Sequence, residues 1–310
     1  MRIKKRQIVT KAQRKPSNIF GNPAAGTSTM KIGINTFLFT SPFTNRSTRL
    51  FAQFKAWGFD GVEIAVENPA DIDPAFVKTQ LDRYGLGCTS VCACFPPSRD
   101  LRGTAAQQRA TVRYLRDLVE MAELLGTDIV MGPLYSSTGR AEAVPRTEYR
   151  LQWRTVRDHL QSICDHAADH GKVICLEPLN RFETDFLNTV DQGLQMIDEV
   201  NSPALKLLLD TFHMNIEEKD PADAIRRAGK HVGHIHASAS DRGTPGKDHV
   251  DWSGVAQALR DIHYEGAVVI ESFTQDVQII ARAAAIWRQI EPSRDEIATK
   301  GLAFLRRTFQ

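Results

Sequence analysis

LLLDTFHMNIEE, residues 207–218, opens as an apolar run suited to a fully buried strand, stops at Asp210, and places His213 three residues further on. An ionisable carboxyl at the end of a Leu run is costly to bury unless a cation or hydrogen-bond donors meet it. The run therefore marks both a strand and a candidate site. Three other strand-like runs end the same way: VICLE at Glu177, VGHIH at His236 and AVVIE at Glu271. For any one of these residues alone, an ion pair with an Arg across the core is the plainer reading. Four buried strands ending in Glu, Asp, His and Glu share one explanation, a single bound metal ion.

Working outward, a strand-sized apolar run alternates with a helix-period segment from Met30 onward. Strands are expected at 31–39, 61–66, 88–95, 128–134, 172–179, 205–211, 232–238 and 267–273. Helices are expected near 47–57, 73–84, 104–125, 147–170, 189–200, 221–229, 253–263 and 276–289, several ending at a Gly suited to a C-cap (Gly58, Gly85, Gly126, Gly171). Eight βα units in series point to a closed (β/α)8 TIM barrel, a single domain over residues 30–310, more than to an open sheet. One more helix, near 294–309, is expected outside the eightfold count. In such barrels the chemistry sits at the C-terminal ends of the strands. Glu177, Asp210, His236 and Glu271 would then converge on one mouth.

Composition narrows the function. At 310 residues with 42% apolar and 25% charged side chains the chain is an ordinary globular one, and no apolar run approaches the ~20 residues of a membrane span. The net charge of +2 is set by seven basic residues among the first 15 (Arg2, Lys4, Lys5, Arg6, Lys11, Arg14, Lys15), and the body beyond them is mildly acidic. An acidic body argues against nucleic acid as the main partner. Residues 1–29, basic and then rich in Pro, Gly, Asn, Ala, Ser and Thr, are expected to be a disordered extension without a secretory h-region. The five cysteines (Cys88, Cys92, Cys94, Cys164, Cys175) are odd in number and lack a CxxC pair, so they read as buried apolar residues of a reducing, cytoplasmic compartment. No Gly fingerprint or Walker loop stands at a strand–helix turn, so no nucleotide cofactor is expected.

Three carboxylates and one imidazole suit a hard-to-borderline divalent cation such as Mn²⁺, Mg²⁺ or Co²⁺. His234 and His236 share one face of their strand, with His236 nearer the mouth, so His236 is the expected ligand and His234 a hydrogen-bonded core residue. His213 follows its strand end and is better placed for substrate than for metal. Glu183 lies on the mouth-side loop, where Arg181 could simply pair with it. Arg242 falls in the irregular loop SASDRGTPGKDHVDW, where a ligand-directed and a surface Arg are equally plausible.

From Met30 to its end the chain resembles the ketose 3-epimerases of the D-tagatose 3-epimerase and D-allulose (D-psicose) 3-epimerase group, within the xylose-isomerase-like barrel superfamily. The resemblance rests on Glu177 to Glu183 (ExLNRFE, with Pro178 at x), LDTFHMNIEE over 209–218, HxH with Arg242 six residues after His236, and ExF at Glu271 to Phe273. It implies that Glu177, Asp210, His236 and Glu271 bind one divalent ion, Mn²⁺ before Co²⁺ or Mg²⁺. It also implies that Glu183, His213 and Arg242 hold the C1 to C3 end of a free ketose. Glu177 and Glu271 are then the catalytic pair, removing and returning the C3 proton from opposite faces. A small-molecule sugar substrate and a homodimer or homotetramer are expected. The chain departs from the family at Asn35-Thr36-Phe37-Leu38-Phe39 on strand one, at Tyr135-Ser136-Ser137 after strand four, and at Ala239, where relatives tend to carry Glu. The first two should reshape the pocket around C4 to C6. Alternatives are an aldose–ketose or hydroxypyruvate-type isomerase on the same barrel, an apurinic endonuclease, which would need more mouth histidines and a basic face, and a non-catalytic sugar-binding module.

Overall fold

The structure, a computed structural model, describes residues 30–310. The extension 1–29, expected to be disordered, lies outside the described residues. Eight parallel strands, β1 (Lys31–Asn35), β2 (Gly61–Val66), β3 (Gly87–Ala93), β4 (Ile129–Gly132), β5 (Val173–Leu176), β6 (Leu205–Asp210), β7 (Val232–Ala237) and β8 (Ala267–Ile270), form a closed barrel in sequence order. Closure is made by β8 pairing back on β1, Val269 opposite Gly33 and Ile270 opposite Ile34. The β6 residues Leu207, Leu208 and Leu209 are buried, as a strand walled by barrel and helices requires. Close packing at the barrel's N-terminal end needs Gly61, where a Cβ would come within 2.8 Å of Thr89 Cγ2 and 2.9 Å of the Gly87 carbonyl oxygen.

The outer helices are α1 (Phe51–Trp57), α2 (Pro74–Tyr84), α3 (Ala105–Leu125), α4 (Arg146–Asp169), α5 (Val190–Val200), α6 (Thr211–Glu217), α7 (Pro221–Ala228), α8 (Trp252–Asp261), α9 (Gln278–Ala283) and α10 (Arg294–Phe309). Reciprocal capping boxes, Thr104 with Gln107 and Thr189 with Gln192, start α3 and α5. Among the described residues no helix is long and apolar enough to cross a membrane.

Three helices, α9, α10 and α6, differ from the reading of the sequence. The helix expected over 276–289 shrinks to α9, because the backbone turns left-handed at Ala285 (φ 55°) and breaks the Ala-rich run. α10, expected outside the count, buries Ile297, Ala298, Leu302, Leu305 and Phe309 and packs on β1, β8 and α8, filling the eighth place on the barrel wall. α6 was not expected. It starts at the strand end itself, where Asp210 caps it by accepting from the Phe212 N–H at 2.6 Å.

Candidate metal centre

Four ionisable side chains stand together where β5, β6, β7 and β8 end. Asp210 closes β6 and stands opposite His236 of β7 in the strand register, while Glu177 and Glu271 follow β5 and β8 by one residue. All four side chains are buried, and one donor atom from each lies within 4.8 Å of the others.

His236 organises the cluster through its two nitrogens. Nε2 lies 2.9 Å from Glu63 Oε1 and donates to it, because a carboxylate only accepts. Nδ1 faces Glu271 Oε2 at 3.4 Å, Asp210 Oδ2 at 3.8 Å and Glu177 Oε1 at 3.9 Å, and this buried nitrogen has no hydrogen-bond partner. An unpartnered imidazole nitrogen surrounded by three carboxylate oxygens is the donor set a divalent cation satisfies. The residue types fit the ion that the sequence implies.

Glu63, in the middle of β2, accepts from Asn35 Nδ2 at 2.6 Å and His234 Nε2 at 2.7 Å, as well as from Ser90 and His236. His234 is thus a hydrogen-bonded core residue, as its position one layer deeper predicts. Asn35 also reaches Glu271 Oε1 at 3.4 Å. Burial works against ionising Glu63, but His236 and His234 outweigh it and hold the carboxyl well below its ordinary range. Burial, then the neighbouring Glu271, pushes Glu177 well above the ordinary range, whereas at Asp210 burial is overcome by Arg242 and His236, which hold it down.

Arg242 reaches deeper than a surface residue. Its Nη1 donates to Asp210 Oδ2 at 2.6 Å, Ser238 Oγ at 2.9 Å and Glu271 Oε2 at 2.9 Å, while its guanidinium lies 4.1 Å from the Phe212 ring centre. Its backbone is left-handed (φ 63°), a conformation that the surrounding bonds hold against the usual cost for a side-chain-bearing residue. At His213, Nδ1 accepts from the Asn180 backbone N–H at 3.1 Å, which puts the proton of the neutral ring on Nε2. That Nε2 faces Arg242 Nη2 at 3.1 Å and Glu177 Oε1 at 3.7 Å. Burial keeps His213 below its ordinary pKa, in keeping with a neutral ring.

Glu183 is half-buried and accepts from Asn180 Nδ2 at 2.8 Å. Arg181 turns away from it and pairs with Glu217 (Nε to Oε1, 2.9 Å). Glu183 and Arg242 line a mouth cavity of about 600 Å³, rimmed by Phe182 (75% exposed) and Trp287 (71% exposed). Tyr135 is not on that wall; it is fully buried beside Phe186, its hydroxyl donating to the Leu187 carbonyl at 3.0 Å.

Glu63 and Ser238 escaped the sequence reading, which named Asn35 only within the first-strand departure and Asn180 only within the ExLNRFE motif, with no role at the centre. For Glu63 a signal was present: it is the one charged residue inside the apolar run GVEIAV, and the burial-cost argument used for Asp210 applies to it equally.

A closed (β/α)8 barrel with a buried carboxylate–histidine cluster at its C-terminal mouth defines the class: the model of the xylose isomerase-like TIM barrel family matches residues 51–308. A probable ketose 3-epimerase of Synechocystis is 37% identical over 91% of this chain and 97% of its own length. A D-psicose 3-epimerase of Agrobacterium fabrum is 42% identical over 80% of this chain and 89% of its own. The crystal structure of a D-allulose 3-epimerase from Methylomonas superposes with a TM-score of 0.84 at 30% identity, covering 91% of this chain and 98% of the other. The chain belongs to the ketose 3-epimerase family and is an isomerase of the epimerase type.

Proposed function

We propose that the protein epimerises free ketoses at C3, interconverting pairs of the D-tagatose/D-sorbose, D-fructose/D-allulose or L-ribulose/L-xylulose type, with one divalent cation at the mouth. Glu177, Asp210, His236 and Glu271 would hold that cation, Mn²⁺ in the first instance, with Co²⁺ or Mg²⁺ as substitutes. When bound, it supplies Lewis-acid stabilisation of the negative charge that develops on the substrate oxygens.

The observation that carries the reading is the approach of two buried carboxylates, Glu177 from β5 and Glu271 from β8, to the same nitrogen of His236 at 3.9 and 3.4 Å. The C3 hydrogen of a ketose is α to the C2 carbonyl. One carboxylate takes it as a proton, the C–H electron pair becomes the C2=C3 double bond, and the carbonyl π pair moves onto O2. The other, which enters as the protonated carboxylic acid, then gives its proton to the opposite face of C3 as the electrons return, and the centre is inverted, leaving the first group protonated and the second ionised. In the reverse reaction the two exchange roles. No redox step or nucleotide is needed.

Charge growing on O2 calls for hydrogen-bond donors aimed at it. Arg242 Nη2 and His213 Nε2–H are two donors only 3.1 Å apart, an arrangement that an incoming oxygen would satisfy. Glu183 is suited to the hydroxyls at the same end, and the cavity rimmed by Phe182 and Trp287 to C4 to C6. A homodimer or homotetramer completes the proposal. Product analysis with D-fructose, D-tagatose and L-ribulose tests it. A C3 epimer alone supports it, and an aldose product would replace it with the isomerase reading.

A further inference from the structure

We propose that Glu63 is the positioning residue of the metal centre: its carboxylate holds His236 by Nε2–H so that Nδ1 is the nitrogen presented to Glu177, Asp210 and Glu271. The inference rests on the proposed cation site and extends it to a residue on the far side of the barrel interior.

An imidazole on a strand can rotate about its side-chain bonds and can coordinate through either nitrogen. A ligand set of fixed geometry needs one nitrogen chosen and the ring plane held, which a carboxylate accepting the other N–H achieves. Glu63 meets the requirements for that role. It is fully buried in the middle of β2, and its Oε1 stands 2.9 Å from His236 Nε2. It is itself immobilised, with Asn35 Nδ2 at 2.6 Å on the same oxygen and His234 Nε2 at 2.7 Å and Ser90 on the other. A carboxylate with four donors has little freedom to swing away. Asn35 links the two layers, since its amide also stands 3.4 Å from Glu271 Oε1. The alternative is that Glu63 exists only to satisfy His234 in the core. That leaves the Oε1 contact to His236 without a purpose, and predicts a carboxylate that matters to folding but not to the cation.

Glu63→Gln keeps the shape of the side chain and removes its charge. Titration calorimetry with Mn²⁺ should give a dissociation constant about 10–100-fold weaker than wild type. A variant with the wild-type constant, altered only in its metal-free unfolding midpoint, would overturn the proposal. A second measurement needs no variant. In ¹⁵N-histidine-labelled wild type loaded with diamagnetic Mg²⁺, two-bond ¹H–¹⁵N correlation should show His236 protonated at Nε2 and unprotonated at Nδ1. The reverse pattern would overturn the proposal while leaving the cation site intact. Wild type that binds neither ion would remove both the proposal and the site on which it rests.

Discussion

Glu177 and Glu271, 94 residues apart in the chain and on strand ends separated by β6 and β7, direct one oxygen each at His236 Nδ1. If each serves one face of C3, neither replaces the other. Glu177→Gln and Glu271→Gln should each lower kcat by at least about 10²-fold. Because Gln still offers an oxygen, calorimetry should find some Mn²⁺ binding in both. Activity that returns at high Mn²⁺ would reduce the two residues to ligands.

Metal dependence has its own readout. The purified protein should carry about one divalent ion per chain, lose activity in chelator and regain it with Mn²⁺ or Co²⁺. An ion that binds the folded state alone also stabilises it, by about 2.7 kcal/mol at a hundredfold excess over Kd. The unfolding midpoint should therefore rise with Mn²⁺. Full activity after exhaustive chelation would end the proposal.

How much of this was legible depends on what each residue has to meet. Asp210 and Glu271 could be read because a carboxyl at the end of an apolar run carries its burial cost in its immediate neighbours. Glu63 carries the same cost, but its partner His234 lies 171 residues away, and no local pattern says which distant side chain will answer it. Arg181 was ambiguous for a related reason: adjacency in the loop suggested Glu183, whereas the short helix α6, invisible as a continuation of its strand, brings Glu217 to it. The swap of α9 for α10 on the barrel wall is tertiary packing overriding helix propensity, since the Ala-rich run over 281–285 has few large side chains to bury while α10 has Leu302, Leu305 and Phe309.

Arg242 bonds both Asp210 and Glu271, so its loss should be felt in turnover before binding. Arg242→Met should lower kcat by about 10²–10³-fold, the scale of a lost donor to a developing oxyanion. Arg242→Lys keeps the charge without the planar fork and should recover only part of this. Steady-state kinetics on both variants separates the effects. A change confined to KM would place Arg242 in ground-state binding alone.

Away from the centre, Asp185 ties the loops of the mouth together. It pairs with buried Arg102 at 2.7 Å and accepts from the backbone N–H of Glu142 at 3.1 Å and of Ala143 at 2.9 Å. Burial raises its pKa, but these partners, Arg102 foremost, bring it below the ordinary Asp value. A depressed carboxyl stabilises the fold above its unfolded pKa and loses that contribution as pH falls through the folded one. Asp185→Asn should therefore lower stability at pH 7, by about 1 kcal/mol at most for a partly solvated ion pair. The gap to wild type in denaturant unfolding should narrow as pH drops below about 3.9, the ordinary value for Asp. A gap that stays constant into acid would mean the carboxylate charge contributes nothing.

The fate of the C3 hydrogen decides the central claim. Wild-type enzyme turning over a ketose in D₂O should place solvent deuterium at C3 of the epimer, because the proton that leaves one face is not the one that arrives on the other. NMR or mass analysis of the product reads this directly. Epimer that fully retains the original hydrogen would contradict the two-carboxylate account, and deuterium at C1 or C2 would replace it with aldose–ketose isomerisation.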